Sequence, residues 1–288
     1  MELNLTQWVN EADVDYIDIR KAMHIVLLAI GSSSRLSSMM ALKGGVLMAI
    51  QYANTRFTTD LDFSALQNPD EVNPDTLSDE LNQALVGAEV ELISYNISCR
   101  VQKIKKQPKA FEAATFPSLN ITIGYAKKDN DGAMKRLANG AAANTISIDY
   151  SFNEITGELG ELTLENQEKI QVYSFPALMA EKFRSILQQV VRNRSRRQDV
   201  YDLHHLISKY SAHSDGEKLQ VYSLLIEKSV GRGIDEYLNK LALRDQEIRS
   251  RTQEGFDELI YEDVEEISFD DAYSVVQEYF ESLPWEES

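Results

Sequence analysis

The sequence predicts an α+β fold in which a small mixed sheet, with helices on one side, is followed by a set of helices. Three observations carry that expectation. Polar and apolar residues alternate in several segments before Asn153, as they do in half-buried strands. A helical period takes over from Pro176, and proline suits the first turn of a helix. The chain has 288 residues, of which 43% are hydrophobic, enough for a sizeable core.

Val14–Ile30 places Ile17, Met23, Ile25, Val26, Leu27 and Ile30 on an amphipathic helical pattern, and the small residues Gly31-Ser32-Ser33-Ser34 break it. Ser38–Leu42 reads as a short strand, Lys43-Gly44-Gly45 as a turn and Val46–Tyr52 as a short helix. Thr59–Ser64 alternates and is a strand; Pro69 and Pro74 mark a loop; Thr76–Val86 is helical. Three further strands are expected over Val90–Lys105, Leu119–Ala126 and Ala143–Phe152. Between the last two, Lys127–Ala142 is rich in Gly and Ala, carries Lys127, Lys128, Lys135 and Arg136, and is expected to be a mobile basic loop. Helices follow over Pro176–Val191 and Gln198–Tyr210, and from Gly216 onward with turns at Gly231–Gly233 and Gly255. Two lobes are therefore expected, 1–174 and 175–288, the second with an acidic C-terminus.

Lys and Arg number 29 against 46 Asp and Glu, a formal charge of -17. Taken whole, that argues against a general phosphate-backbone binder. The acidity is uneven, however. From Thr252 to Ser288 there are 13 acidic residues and no Lys or Arg, so residues 1–251 carry 33 acidic and 29 basic side chains. The acidic C-terminus could mimic RNA, repel it, dock a basic partner, or be a solvated helix. The lone Cys99 forms no intrachain disulfide, and Met1 opens on a polar stretch, which together suggest a cytoplasmic protein. The longest apolar run, Ala22–Ile30, is far short of the roughly 20 residues of a membrane helix.

Asp60 and Asp62 lie two apart on the expected strand, so both project from one face with Cβ atoms about 7 Å apart. Such carboxylates repel unless a cation joins them, and an oxygen-only pair that leaves room for water and phosphate suits Mg²⁺. A solvated strand face is the plain alternative. The upstream Gly44-Gly45 turn opens a helix whose free N–H groups can hold phosphate. Asp149, flanked by alternating apolar residues, is a candidate third carboxylate.

The ordered segments Leu42-Lys43-Gly44-Gly45, Arg56-x-Thr58-x-Asp60-Leu61-Asp62-Phe63, Ala180-Glu181-Lys182 and Arg197-x-Asp199-Val200-Tyr201-Asp202-Leu203 resemble the motifs of the AbiEii/AbiGii-type nucleotidyltransferase toxins, within the polymerase-beta-like nucleotidyltransferase superfamily. The resemblance covers roughly residues 20–210. One departure is Val46, where the family often has Thr after the two glycines. The resemblance implies a polymerase-beta-like nucleotidyltransferase lobe and a helical lobe. It also implies transfer of NMP from an NTP to an acceptor hydroxyl, with pyrophosphate released. Asp60 and Asp62 would hold Mg²⁺, with Asp149, where it reaches, helping to activate the attacking hydroxyl as a base or a second-metal ligand. Lys182 would neutralise triphosphate charge and Asp199, favoured over Asp202, would belong to the active site. Lys43, Gly44, Gly45, Arg56 and Thr58 would lie along the nucleotide, although Arg56 could equally pair with Asp60 or Asp62. The role implied is the toxin of a bacterial toxin–antitoxin or phage-defence system, with tRNA or another RNA as acceptor, a cognate antitoxin as partner and no membrane.

Two basic stretches could grip an RNA acceptor if they face the same cleft, with a solvated interhelical loop the plain alternative for the first. One is Arg192, Arg194, Arg196 and Arg197; the other is Arg100, Lys103, Lys105, Lys106 and Lys109. Rival readings are a nucleotidyltransferase that modifies a protein or small molecule, and a catalytically inactive binding module of the same fold. No P-loop or serine-hydrolase motif occurs, and His24, His204, His205 and His213 lack metal-ligand spacing.

Overall fold

The structure, a computed structural model, describes residues 5–164, 166–259 and 267–286. Within that range the chain divides into two units, one built from residues 1–51, 58–154 and 159–172, the other from 52–57, 155–158 and 173–288.

The first unit contains α1 (Leu5–Asn10), α2 (Ile17–Ser32), α3 (Ser34–Met39), β1 (Met40–Lys43), α4 (Gly44–Gln51), β2 (Asp60–Ala65), α5 (Pro74–Glu91), β3 (Ile97–Gln107), β4 (Ser118–Lys127), α6 (Asp131–Ala138), β5 (Asn144–Ser151), β6 (Leu159–Thr163) and β7 (Lys169–Tyr173). The strands form one mixed sheet in the order β3-β4-β5-β2-β1-β7-β6. The central pair β2 and β5 is parallel, as is β1 with β7; β1–β2, β3–β4 and β4–β5 are antiparallel. Alternation in the sequence becomes two unlike faces. Leu61, Phe63, Ile148, Tyr150, Leu119 and Ile121 are buried on one, while Asp62, Asp149, Ser147, Asn120 and Thr122 keep partial exposure on the other.

Two expectations require correction here. The strand expected from Val90 begins only at Ile97, because Leu77, Leu81, Leu85 and Ala88 carry a buried helical stripe that extends α5 to Glu91. The Asn73 side chain caps the start of that helix by accepting from the Asp75 and Thr76 amides at 2.9 and 3.1 Å. The expected loop over Lys127–Ala142 contains α6, started by Asn130, whose side chain accepts from the Ala133 amide at 2.9 Å, and closed by Lys135 and Arg136 at its negative end.

The second unit contains α7 (Phe175–Arg192), α8 (Arg197–Lys209), α9 (Asp215–Ser229), α10 (Gln246–Gln253) and α11 (Phe269–Glu281). The solvated-helix reading of the C-terminus does not hold for α11, which buries Phe269, Ala272, Tyr273, Val276, Tyr279 and Phe280. Phe183 of α7 stacks on Tyr279 at 6.1 Å and tilts against Phe280 at 5.3 Å. Each such aromatic is worth about 1.5–3 kcal/mol of burial, so this helix is part of a core. Several of its neighbouring acids meet arginines: Glu281 with Arg244 at 2.7 Å, Asp270 with Arg249 at 2.8 Å and Glu258 with Arg197 at 3.1 Å. Glu262, Asp263, Glu265, Glu266 and Glu287 lie outside the described residues. No helix among the described residues is long and apolar enough to cross a membrane.

Candidate functional site

In the first unit, the register of the central strands decides which carboxylates meet. Asp62 pairs with Asp149 and Asp60 with Ser147 across the parallel β2–β5 ladder. Paired residues leave a sheet on the same side, so Asp60, Asp62 and Asp149 share one face. Burial, and secondarily the charge of Asp149, raises the Asp60 carboxyl above its ordinary pKa. Around them, Asn120 donates to Ser147 Oγ at 2.8 Å and Ser151 Oγ donates to Asp149 Oδ1 at 3.3 Å.

The glycine turn adjoins this face. β1 ends at Lys43, opposite Asp62 in the register, and the chain enters α4 through Gly44 at φ +72°. A Cβ on Gly44 would lie 2.1 Å from Asp62 Oδ2. Glycine is therefore required twice over, for the left-handed backbone and for the space the Asp62 carboxylate occupies. Gly45 follows in the first turn of α4 and Thr58 sits just before β2. Lys43 is almost fully buried and its ammonium is held by Glu154, whose Oε2 also accepts from Ser64 Oγ at 2.6 Å. Glu154 carries no signal in the sequence, since it stands in the loop after β5 with no local pattern around it.

In the second unit, Lys182, Asp199, Asp202 and Arg56 form a buried charge network. Lys182 Nζ donates to Asp202 Oδ2 at 2.6 Å and to Asp199 Oδ1 at 3.2 Å. Arg56 forks onto Asp202 through Nε at 3.1 Å and Nη2 at 3.2 Å, the bidentate geometry that suits guanidinium and carboxylate. Asn54 Nδ2 adds a third donor at 2.9 Å, and its Oδ1 accepts from the Arg56 amide at 2.9 Å. Thr55 reaches Tyr201 at 3.1 Å. The Asp202 partner of Arg56 is neither of the aspartates anticipated for it. Burial alone would raise the Asp202 carboxyl, but Arg56 and Lys182 outweigh it and hold the group well below the usual carboxylate range. Burial opposes the charge on Lys182 as well, and Asp202 and Asp199 reverse that, leaving its pKa raised. Asp202 is thus saturated with donors, whereas Asp199 keeps a buried Oδ2 with no hydrogen-bond partner. A helical i, i+3 spacing hides that difference; Asn54 and Arg56, near in sequence to Asp60 and Asp62, were the available hint.

Of the arginine cluster, Arg192 and Arg194 are exposed, and Arg197 is engaged by Glu258 and by the Glu254 carbonyl at 3.4 Å. Among the described residues no three His, Cys, Asp or Glu side chains converge into a ready-made metal cage.

A mixed sheet that gathers aspartates on one face, beside a glycine turn opening a helix, belongs with the nucleotidyltransferases. The chain is a member of the AbiEii family, whose description, nucleotidyl transferase AbiEii toxin of a type IV toxin–antitoxin system, matches residues 26–275. No curated protein matches it. Two crystal structures from Helicobacter pylori align with most of its length. One, of a candidate nucleotidyltransferase, is 15% identical, covers 94% of this chain and 97% of its own and has a TM-score of 0.45. The other, JHP933, is 14% identical, covers 94% of each chain and has a TM-score of 0.44.

Proposed function

We propose that this protein is a Mg²⁺-dependent enzyme that transfers a nucleoside monophosphate from an NTP to a hydroxyl of RNA, with tRNA the foremost acceptor. It acts in the cytoplasm as the toxin of a bacterial toxin–antitoxin pair that serves phage defence and is held in check by a cognate antitoxin. The observation that carries the chemistry is the β2–β5 register, which sets Asp62 beside Asp149 with Asp60 on the same face.

These residues fit Mg²⁺. Asp60 and Asp62 offer oxygen donors only, the Asp60 carboxyl is raised first by burial and then by the charge of Asp149, which a cation would relieve, and Asp62 is fixed against Gly44. Two carboxylates leave the remaining positions to water and phosphate, as Mg²⁺ prefers. When bound, the ion supplies charge neutralisation to the triphosphate. Asp60 and Asp62 hold it, and the amides at the start of α4, from Gly44 and Gly45, receive phosphate oxygens. Asp149 takes the proton from the acceptor hydroxyl as its oxygen bonds to the α-phosphorus. The bond from that phosphorus to the bridging oxygen breaks, and pyrophosphate departs. Lys43 contributes to the phosphates on exchanging its Glu154 partner. The resemblance of the chain's motifs to those of the family supports reading Lys182 as neutralising triphosphate charge, Asp199 as part of the active site, and Arg56 and Thr58 as nucleotide-binding. The spare Oδ2 of Asp199 supports choosing it over Asp202.

Incubation with each α-labelled NTP, Mg²⁺ and either total RNA or protein tests this. Label on RNA, lost in Asp62→Ala, is expected. Label on polypeptide overturns the acceptor, and absence of transfer together with undiminished toxicity of Asp62→Ala leaves a binding module.

A further inference from the structure

The polar face that carries the aspartates continues beyond β5. It crosses β4 at Asn120 and Thr122 and ends on the edge strand β3, where Lys105 pairs with Asn120 and Lys103 with Thr122. Lys105 therefore shares a row with Asp149 and Asp62, and Lys103 with Ser147 and Asp60. The bulge between Val101 and Lys103 keeps Arg100 on this face too, because Arg100 pairs with Gly124, two residues along β4 from Thr122. At about 4.8 Å between strands, the backbone of Lys105 stands about 10 Å from that of Asp149 and about 14 Å from that of Asp62, and the backbone of Lys103 about 14 Å from that of Asp60.

Their charges are met differently from those of nearby lysines. Lys106, on the opposite face, pairs with Glu112 at 2.9 Å and lies over the Phe111 ring at 4.9 Å. Lys127 pairs with Asp18 at 2.9 Å and Lys128 with Glu89 at 3.0 Å. Arg100, Lys103 and Lys105 are exposed and, among the described residues, enter no ion pair. Lysines on an edge strand also discourage edge-to-edge pairing, but that role is indifferent to the face they leave by. The unpaired cations here all leave by the face of the aspartates.

We infer that Arg100, Lys103 and Lys105 bind the phosphate backbone of a single-stranded acceptor, holding it across β4 so that its reacting hydroxyl lies at Asp149. Asn120 and Thr122 offer hydrogen bonds along the way. This rests on the RNA reading above, and it adds the site that grips the strand.

The test compares two variants with the same charge removed, Lys103→Gln/Lys105→Gln and Lys106→Gln/Lys127→Gln, the second pair leaving by the opposite face, in steady-state transfer to RNA and in binding of a fluorescent single-stranded oligoribonucleotide. The first variant is expected to raise KM for RNA and weaken binding roughly tenfold at ~0.1 M salt, with kcat unchanged. Its slope of log affinity against log salt should fall by about 1.4, at ~0.7 per phosphate contact on a single strand. The second should stay within about twofold of wild type. Equal losses in both variants, or none in either, overturn the site while wild-type labelling of RNA leaves the function standing. Wild type that labels polypeptide instead overturns both.

Discussion

Asp60 in the first unit, exposed at the start of β2, and Asp202 in the second, fully buried, both have their carboxyls raised by burial, yet the net shifts run in opposite directions. Asp60 has Asp149 on its face and is raised; Asp202 is fully buried with Arg56 and Lys182 against it and is lowered. Burial acts the same way on both, so the sign of the nearest charges decides the outcome. A carboxylate whose charge is met inside the protein holds structure together. One that faces its like is, on the function proposed above, arranged for a cation from outside.

The largest expected effect lies in the compensated network. Asp202→Ala leaves Arg56 and Lys182 facing each other in a buried site and should cost about 3–5 kcal/mol of unfolding free energy, measured by denaturant titration. Because the folded-state pKa of Asp202 is lowered, its stabilisation is present above the unfolded value and is lost as pH falls through the acid range. Equal stability of the variant and wild type at pH 7 would show that the network is ornamental.

Next comes the seam between glycine and carboxylate. Gly44→Ala forces a Cβ onto the place of Asp62 Oδ2 and strains a backbone at φ +72°. A displacement of about 1 Å at a reacting site costs on the order of 10²-fold in rate, so transfer should fall by about that much. Activity near wild type would mean that Asp62 need not sit there. The smallest effect runs against the first in sign. Asp60→Asn removes charge beside Asp149 and, without metal at pH 7, should raise stability by about 0.2–1 kcal/mol. Asp60 has a raised folded-state pKa, so its charged form is a cost at neutral pH that disappears as pH falls; the gain from Asn should fade with it. A loss of stability on Asp60→Asn would break the contrast with Asp202.

The aspartates of β2 and the Lys43-Gly44-Gly45 turn were legible because strand alternation and glycine leave marks within a few residues. The partner strand of β2 was not, since pairing with β5 across nearly ninety residues of chain depends on tertiary packing. Asp199 and Asp202 are told apart by Asn54 and Arg56, which donate to Asp202 and are not adjacent to either in sequence. The Gly and Ala of α6 obscure its helical stripe and make the segment resemble a loop, although Asn130 before Asp131-Gly132 is a cap in plain view. The acidic C-terminus shows how composition misleads: α11 carries charge on its surface while six of its side chains fill a core.

Thermal unfolding across a Mg²⁺ titration, for wild type and the Asp60→Asn/Asp62→Asn variant, addresses the central claim most directly. A ligand at a hundred times its Kd stabilises by about 2.7 kcal/mol. Wild type should therefore show a Tm that climbs with Mg²⁺, while the variant stays flat and is at least as stable as wild type without metal. A variant that keeps the full Mg²⁺-dependent rise, or that is less stable than wild type in its absence, would contradict the assignment of this sheet face to a cation.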